Sequence, residues 1–536
     1  MTITQDPWET LHTSALLGTD RRPLPATALP LAGAVDRADP ATALLELAAL
    51  ATVRRRAGAL PVPAAEPPGP PAPADPRPEL PEPAARRLAV LLAGRTGAGG
   101  GGTLANLTEL LPQWLATARA RGLRPPAALV PGLLDAARAR SELRSDAVAL
   151  AGPLGRWLAG RNPDWRFVLR TTTQEPTHPP TGRADPADHQ LWHEGLFAER
   201  VTHLTQLRRR DPAVGLELLR STWSTERAED RLLFLDALQD GLSPADEPFL
   251  EAALGDRSKN VRATAAELLS ALPGSALAGR MAERARTAVR LAGAGTHLLV
   301  TPPAECDAQM QRDGITPKSP TGRGERAWWF GEVVAAAPLA VWPENTGLTP
   351  EQLLSLRVGD SIDETSSSWA DDLREAWARA AVRQHDTEWA RALLGPAPVP
   401  PGRGTGRARA PRATGAPAKL LAVLPPEERA AWTAAFIEVR GLGEAFQLLG
   451  ACATPWTPPL STAVVSALAR AAASGAYPWS HSGVLGMTER ALAPGTAAAV
   501  EELAAAAAPD SAWAETFARL AGTLRFRAAM LAELGG

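Results

Sequence analysis

The chain has 536 residues, 56 Lys or Arg against 58 Asp or Glu, and a formal charge of −2. That length can bury several cores and predicts roughly two to four domains, while the near-neutral balance excludes a global basic field for nucleic acid or anionic lipid. Two cysteines, Cys306 and Cys452, supply neither a disulfide framework nor a metal-binding pattern.

The first residues, Met-Thr-Ile-Thr-Gln-Asp-Pro-Trp, carry no basic region and no apolar run, so no secretory signal is expected. The Ala-rich run at 498–508 is broken by Glu501 and Glu502 and is too short to span a bilayer. The expectation is a soluble, cytoplasmic protein. Lysine occurs only at 259, 318 and 419, and the excess of Ala, Arg, Pro and Gly reads as GC-rich coding rather than as function.

In chain order, residues 7–22 predict a short helix ending at Gly18, with Trp8, Leu11 and Ala15 on one side. The polar turn Thr19-Asp20-Arg21-Arg22 follows. A second helix over 41–56 buries Leu44, Leu47, Leu50 and Ala51, which completes an N-terminal helical segment at 1–60. Residues 61–83, rich in Pro, Ala and acid, cannot continue a helix and predict a semi-rigid exposed linker. A helical segment at 84–160 has a glycine-rich break at 97–102. Gly97, Gly99 and Gly102 satisfy G-x-G-x-x-G, but no acid follows near position 120 to hold a ribose, and no Lys follows to make a P-loop. This is a linker.

Residues 161–394 predict the central domain. Asp211-Pro212 and Ser243-Pro244-Ala245-Asp246 are capped helix starts, Gly241 a stop, and Ser275 a further cap. Leu232, Leu235 and Leu238, then Phe249, Leu250, Ala253 and Leu254, then Val261, Ala265, Leu268, Leu269 and Leu272 form successive stripes at helical spacing, continued by Leu277 and Met281. No one helix buries its stripe alone, so the helices must stack. Thr296–Thr301 is the one place where a strand is expected, and a long loop follows to Gly324. Helices are expected again at 325–337, 350–356 and 369–394, a second Pro/Gly/Arg linker at 395–418 with Arg403, Arg407, Arg409 and Arg412, and a C-terminal helical domain at 419–536.

Few residues suggest chemistry. His189 and His193 share a helical face as metal ligands do, but Gln190 stands where a zincin carries Glu, and Glu194, Glu199, His203 and His178 lack ligand spacing. Cys306 has no placed His, and Arg208-Arg209-Arg210 reads as a basic run complementing a helix dipole. The 16 tryptophans fall mostly on apolar faces and read as core anchors. No metal, cofactor or catalytic set is expected.

The string Leu254-Gly-Asp256-Arg-Ser-Lys-Asn-Val261-Arg262 followed by Ala265-Ala266 and Leu268-Leu269 resembles a HEAT-type helical repeat. The resemblance implies that Val261 packs between helices while Asp256 and Arg262 tie neighbouring turns, in an all-α, HEAT-like superhelix. The capped starts at Asp211 and Ser243 lie only 32 residues apart, shorter than the roughly 40–47 of HEAT arrays. Further strings, Ala15-Leu-Leu-Gly-Thr-Asp-Arg-Arg22, Pro303-Ala-Glu-Cys-Asp307, Arg312-Asp-Gly-Ile315 and Gly324-Glu-Arg-Ala-Trp-Trp329, resemble an uncharacterised family of high-GC bacteria. Such families are carried in clusters beside a MoxR-type AAA+ ATPase, a von Willebrand factor A-domain protein and a SWIM zinc-finger protein. The resemblance implies a non-enzymatic helper or adaptor in an ATPase-driven metal-insertion or remodelling system, with the ATPase or the A-domain protein as partner, and carries over no catalytic residues. The expected partner contacts are Asp20, Arg21, Arg22, Arg262, Arg312 and Asp313. The alternative is a HEAT-like DNA glycosylase or other nucleic-acid binder, which would require arginines lining one face of the stack.

Overall fold

A computed structural model describes residues 7–24, 33, 35–57, 70–93, 107–170, 186–320, 322, 324–360, 368–399 and 417–535. It is 72% helix and 3% strand, which places the chain in the expected all-α class. By contact it divides into Met1–Ala72 and Pro73–Gly536. The glycine run at 97–102, His178 and the arginines at 403–412 lie outside the described residues.

Among its described residues the first unit has two α-helices, α1 (Pro7–Leu17) and α2 (Pro40–Ala57), joined through Leu11, Leu47 and Ala51. The expected stripe on α1 is rotated by one residue: Ser14 is buried and Ala15 faces solvent. Gly18, at φ +84°, ends the helix in the left-handed region that suits glycine, and its carbonyl accepts from the amides of Arg21 and Arg22 at 3.1 and 3.0 Å.

The second unit begins with α3 (Glu82–Ala93), α4 (Leu107–Ala120), α5 (Val130–Ala139), α6 (Arg144–Ala159) and α7 (Phe167–Arg170). Part of the expected exposed linker is in fact a fixed strut. Pro153 sits inside α6 behind Gly152, whose φ of +53° breaks the helix. A proline has no N–H to give the carbonyl four residues back, and here that carbonyl, Ala149 O, accepts from Arg77 Nη1 at 2.7 Å instead. Arg77 Nη2 reaches Leu150 O at 3.0 Å and pairs with Asp75 at 2.6 Å. Leu80 is buried and its amide donates to Arg124 O at 2.9 Å, while the Arg124 amide donates to Pro78 O at 2.9 Å. Arg77→Ala should therefore lower stability by about 1–3 kcal/mol, the cost of leaving partly buried acceptors unmatched. Arg86→Ala, which removes only an exposed i,i+4 pair with Glu82, should stay within about 0.5 kcal/mol. Thermal melts of the two variants provide the comparison.

The stack follows as α8 (Pro186–Glu194), α9 (Phe197–Arg210), α10 (Pro212–Thr222), α11 (Ala228–Ala237), α12 (Glu247–Ala253), α13 (Lys259–Ser270) and α14 (Ala276–Ala288). The expected caps are present. Asp211 accepts from Val214 N at 3.2 Å, Ser243 and Asp246 form a capping box, and Ser275 accepts from Ala278 N at 3.1 Å. The stripes from Phe249 to Met281 are buried, all but Leu272 in one core and Val261 completely, whereas Leu232 is only half-buried.

A three-stranded sheet interrupts the helices. Strand β1 (Val289–Ala292) runs antiparallel to β2 (His297–Val300), the expected extended piece. Helices α15 (Ala308–Arg312), α16 (Glu325–Ala336), α17 (Val341–Thr346) and α18 (Pro350–Ser355) precede β3 (Arg357–Asp360), which joins β2 in parallel. The helix expected over 369–394 is two, α19 (Ser368–Arg383) and α20 (Thr387–Leu394). His385 takes φ +52° between them, and Asp386 caps α20 through Trp389 N at 2.9 Å. Trp342, Trp377 and Trp389 pack in series with ring centroids 5.6 and 5.1 Å apart, as core anchors should.

The C-terminal helices are α21 (Pro417–Val423), α22 (Pro426–Arg440), α23 (Leu442–Ala451), α24 (Pro458–Ala473), α25 (Ser482–Ala491), α26 (Ala497–Ala506) and α27 (Ala512–Gly535). Leu420, Leu421, Leu424 and Trp432 belong to the same core as the stack. Helix α27 serves two cores. Its first half, with Phe517, Leu520 and Leu524, packs into the 430–500 helices, and its second half gives Met530 and Leu534 to α3 and α4. Arg87 holds Glu533 at 3.0 and 2.5 Å across that second contact.

Candidate interaction surfaces

The strings between 303 and 329 form one device. Asp307 caps α15 through Met310 N at 2.6 Å, and Gly314, at φ +93°, lies so close to Ala266 that a Cβ there would come within 2.6 Å of it. Asp313 is 3% exposed. Arg280 grips it at 2.7 and 3.0 Å, Arg284 binds its other oxygen at 3.2 Å, and Arg280 also reaches Glu251 at 3.1 Å. Arg326 donates to the carbonyls of Pro302 and Pro303, while the Trp328 and Trp329 indoles donate to Thr316 O and Pro317 O at 3.1 and 3.0 Å. The loop is thereby fastened to α13, α14 and α16. Asp313, expected as an exposed contact, is a buried ion-pair hub; a carboxylate between two guanidinium groups is stable inside the protein only because they neutralise it. Arg312 beside it is exposed.

Arg262 is half-buried and donates to Asp256 O at 2.7 Å, so it closes its own turn. Asp256 accepts from Arg231 of α11 at 3.1 Å and from Ser258 N at 2.8 Å, which ties the turn between α12 and α13 back to α11. Cys306 donates to Ile315 O at 3.7 Å. Burial, then the Asp307 carboxylate, push its thiol pKa up, against thiolate formation.

The basic run at 208–210 is not a free patch. Arg208 is 1% exposed. It is bidentate to Asp246 at 2.9 and 2.9 Å and also donates to the carbonyls of Pro212, Leu238, Asp240 and Gly241. Gly215 makes room for it, since a Cβ there would stand 2.8 Å from Arg208 Cδ. Arg209 pairs with Asp240 at 3.1 Å and Arg210 with Asp188 at 2.8 Å. The sequence signal that could have found this is the spacing of a capping-box acid one hairpin downstream.

His189 and His193 are exposed and their rings lie parallel, 6.3 Å apart. His203 is buried, its Nε2 3.4 Å from Asp188 Oδ1. Burial outweighs the Asp188 charge and holds its pKa below the usual imidazole value. Glu194 binds Gln190, and Glu199 caps α9 at Leu196 N. Among the described residues no three of His, Cys, Asp and Glu are placed to hold a metal.

Two grooves open on the second unit. One, of about 380 Å³, lies between α16 and α19 and is lined by Trp328, Gly331, Asp372, Glu375 and Arg379, the last held by Glu332 at 2.5 Å. The other, of about 260 Å³, lies under Trp479 against α25 and α27, with the Arg519–Glu489 pair at 3.5 Å along it. Trp479 is 74% exposed and Tyr477, the chain's single tyrosine, 65%. Their rings stack 6.2 Å apart at 19°. This pair departs from the expectation that the tryptophans are core anchors. On the first unit Asp20 and Arg21 are exposed and Arg22 half-buried, near exposed Leu16 and Leu17. No described helix is long and apolar enough to cross a membrane.

No curated protein and no solved structure matches the chain. It belongs to a family of unknown function, DUF5691, whose model matches residues 10–534.

Proposed function

We propose that this DUF5691 member is a non-enzymatic scaffold that holds a protein partner, and that the partner is a MoxR-type AAA+ ATPase or its A-domain companion. The carrying observation is the Tyr477–Trp479 pair. Two stacked aromatic rings left in water beside a groove are costly to expose and are the side chains that most often anchor protein interfaces. The pair stands on α25 and α27 of the C-terminal helices, and in the separate α8–α14 stack the buried Arg208, Arg231 and Arg280 are matched by carboxylates that tie its turns. The ATPase and A-domain identities come from the gene-cluster resemblance, as does the inclusion of Asp20 and Arg21 as contacts on the first unit.

A nucleic-acid reading fits less well. The arginines at 208, 209, 210, 231, 280 and 284 are each engaged by Asp or Glu, so they form no open phosphate-binding stripe. The reading is tested by titrating the purified chain against each partner, with and without ATP. Trp479→Ala should weaken binding about 10-fold or more, and Asp20→Ala with Arg21→Ala should weaken it further, both with unchanged melting. Absence of affinity for either partner, or turnover of DNA lesions by the isolated chain, would end the proposal.

A further inference from the structure

Arg527 lies on α27 between that helix's two cores and is completely buried. Its Nε donates to Gln113 Oε1 of α4 at 3.0 Å, and its Nη1 to Leu492 O, just beyond α25, at 2.6 Å. A guanidinium has five N–H donors, and here both identified acceptors are neutral. Among the described residues, the buried Nη2 has no hydrogen-bond partner and no carboxylate offsets the charge. Arg208, equally buried, has a bidentate Asp and four carbonyls. The contrast matters because a buried cation is costly unless an opposite charge meets it.

Two further buried donors without described acceptors occur on the segments that Arg527 joins: the indole N–H of Trp114, the residue after Gln113 in α4, and that of Trp456, whose amide donates to Ala491 O at 2.6 Å.

We propose that Arg527 binds a small inorganic anion of chloride size, held at Nη2, which stabilises the contact of α27 with α4 and with the end of α25. A water molecule could accept one N–H but would leave the charge unmatched. Complete burial keeps the carboxylate of a partner chain from reaching Nη2, so the counter-charge has to be a small ion enclosed as α27 packs against α4 and the end of α25. Burial alone pushes the Arg527 pKa down to about 10, so the group remains a cation at neutral pH and continues to require its counter-charge.

The test is the melting temperature of the full chain in sodium chloride and in sodium gluconate at equal ionic strength. Chloride and bromide should each give a saturable rise of about 2–3 °C over gluconate. Gln113→Glu places a carboxylate on Arg527 Nε, so its melt should no longer respond to chloride and should not fall below wild type in gluconate. Arg527→Gln should lose the chloride response as well. Coincident wild-type melts in the two salts would overturn the proposal. So would a Gln113→Glu variant that keeps the full chloride response.

Discussion

Asp246→Ala should be among the most destabilising single substitutions in this chain, at about 3–5 kcal/mol. Asp246 is 1% exposed, and both of its oxygens meet Arg208 at 2.9 Å. Removing it strands a guanidinium that is itself 1% exposed, and the stranded charge dominates the cost. The same carboxylate accepts from Ser243 N at 2.9 Å, so the start of the 244–253 helical turn loses its cap too, worth about 1 kcal/mol. The double substitution Arg208→Met with Asp246→Leu separates these contributions. It removes the unmatched charge, and in a purely ionic site it would restore stability fully. Here it should restore only part, because Arg208 also serves the carbonyls of Pro212, Leu238, Asp240 and Gly241, and those acceptors lose their donor. Urea midpoints for the two singles and the double give the coupling energy directly. A midpoint for Asp246→Ala within error of wild type would mean that the clamp does not hold the hairpins together.

That clamp also shows where reading the sequence stops. The capping box at Ser243 and Asp246 is legible because its members are three residues apart, and the stripes from Phe249 to Met281 because helical spacing is local. The pairing of Asp246 with Arg208 spans 38 residues, that of Asp313 with Arg280 spans 33, and that of Arg77 with Ala149 O spans 72. Nothing local marks them. An Arg at a helix end beside two others looks like a dipole complement, and an Asp in a Pro- and Gly-containing loop looks like a contact awaiting a partner. In both cases three-dimensional packing chose an internal partner instead. The strands β1 and β3 were hidden for a different reason: β1 directly continues α14 and β3 begins one residue after α18, whereas β2, of the same length, is set off by the Gly293–Gly295 turn. Trp479 was hidden by its neighbours. It lies in a tract that predicts helices, where most tryptophans are buried, and only the irregular Tyr477–His481 turn leaves it outside. Among the expected contacts, Asp20, Arg21 and Arg312 are exposed, whereas Asp313 is internal and Arg262 closes its own turn.

Val261→Asp tests the block that gave the stack its resemblance to a helical repeat. Val261 is completely buried near the start of α13, within the core that also holds Ala265, Leu268 and Leu269. An aspartate there must place a carboxylate among apolar side chains or take up a proton, and either course costs several kcal/mol. Val261→Thr has nearly the same shape but a hydroxyl that can turn back to the carbonyl three residues earlier, that of the N-cap Ser258, so it should cost much less. Arg262→Ala, one position along the helix, changes a half-buried residue whose donors reach Asp256 O and Arg257 O, and should cost about 1 kcal/mol. The expected order of melting temperatures is therefore wild type, then Val261→Thr and Arg262→Ala close together, then Val261→Asp far below. Equal losses at 261 and 262 would contradict the facing of α13, because adjacent helical positions point about 100° apart. A Val261→Asp melt within a degree or two of wild type would place that residue in solvent, and the packing of α13 against α11, α12 and α14 would have to be abandoned.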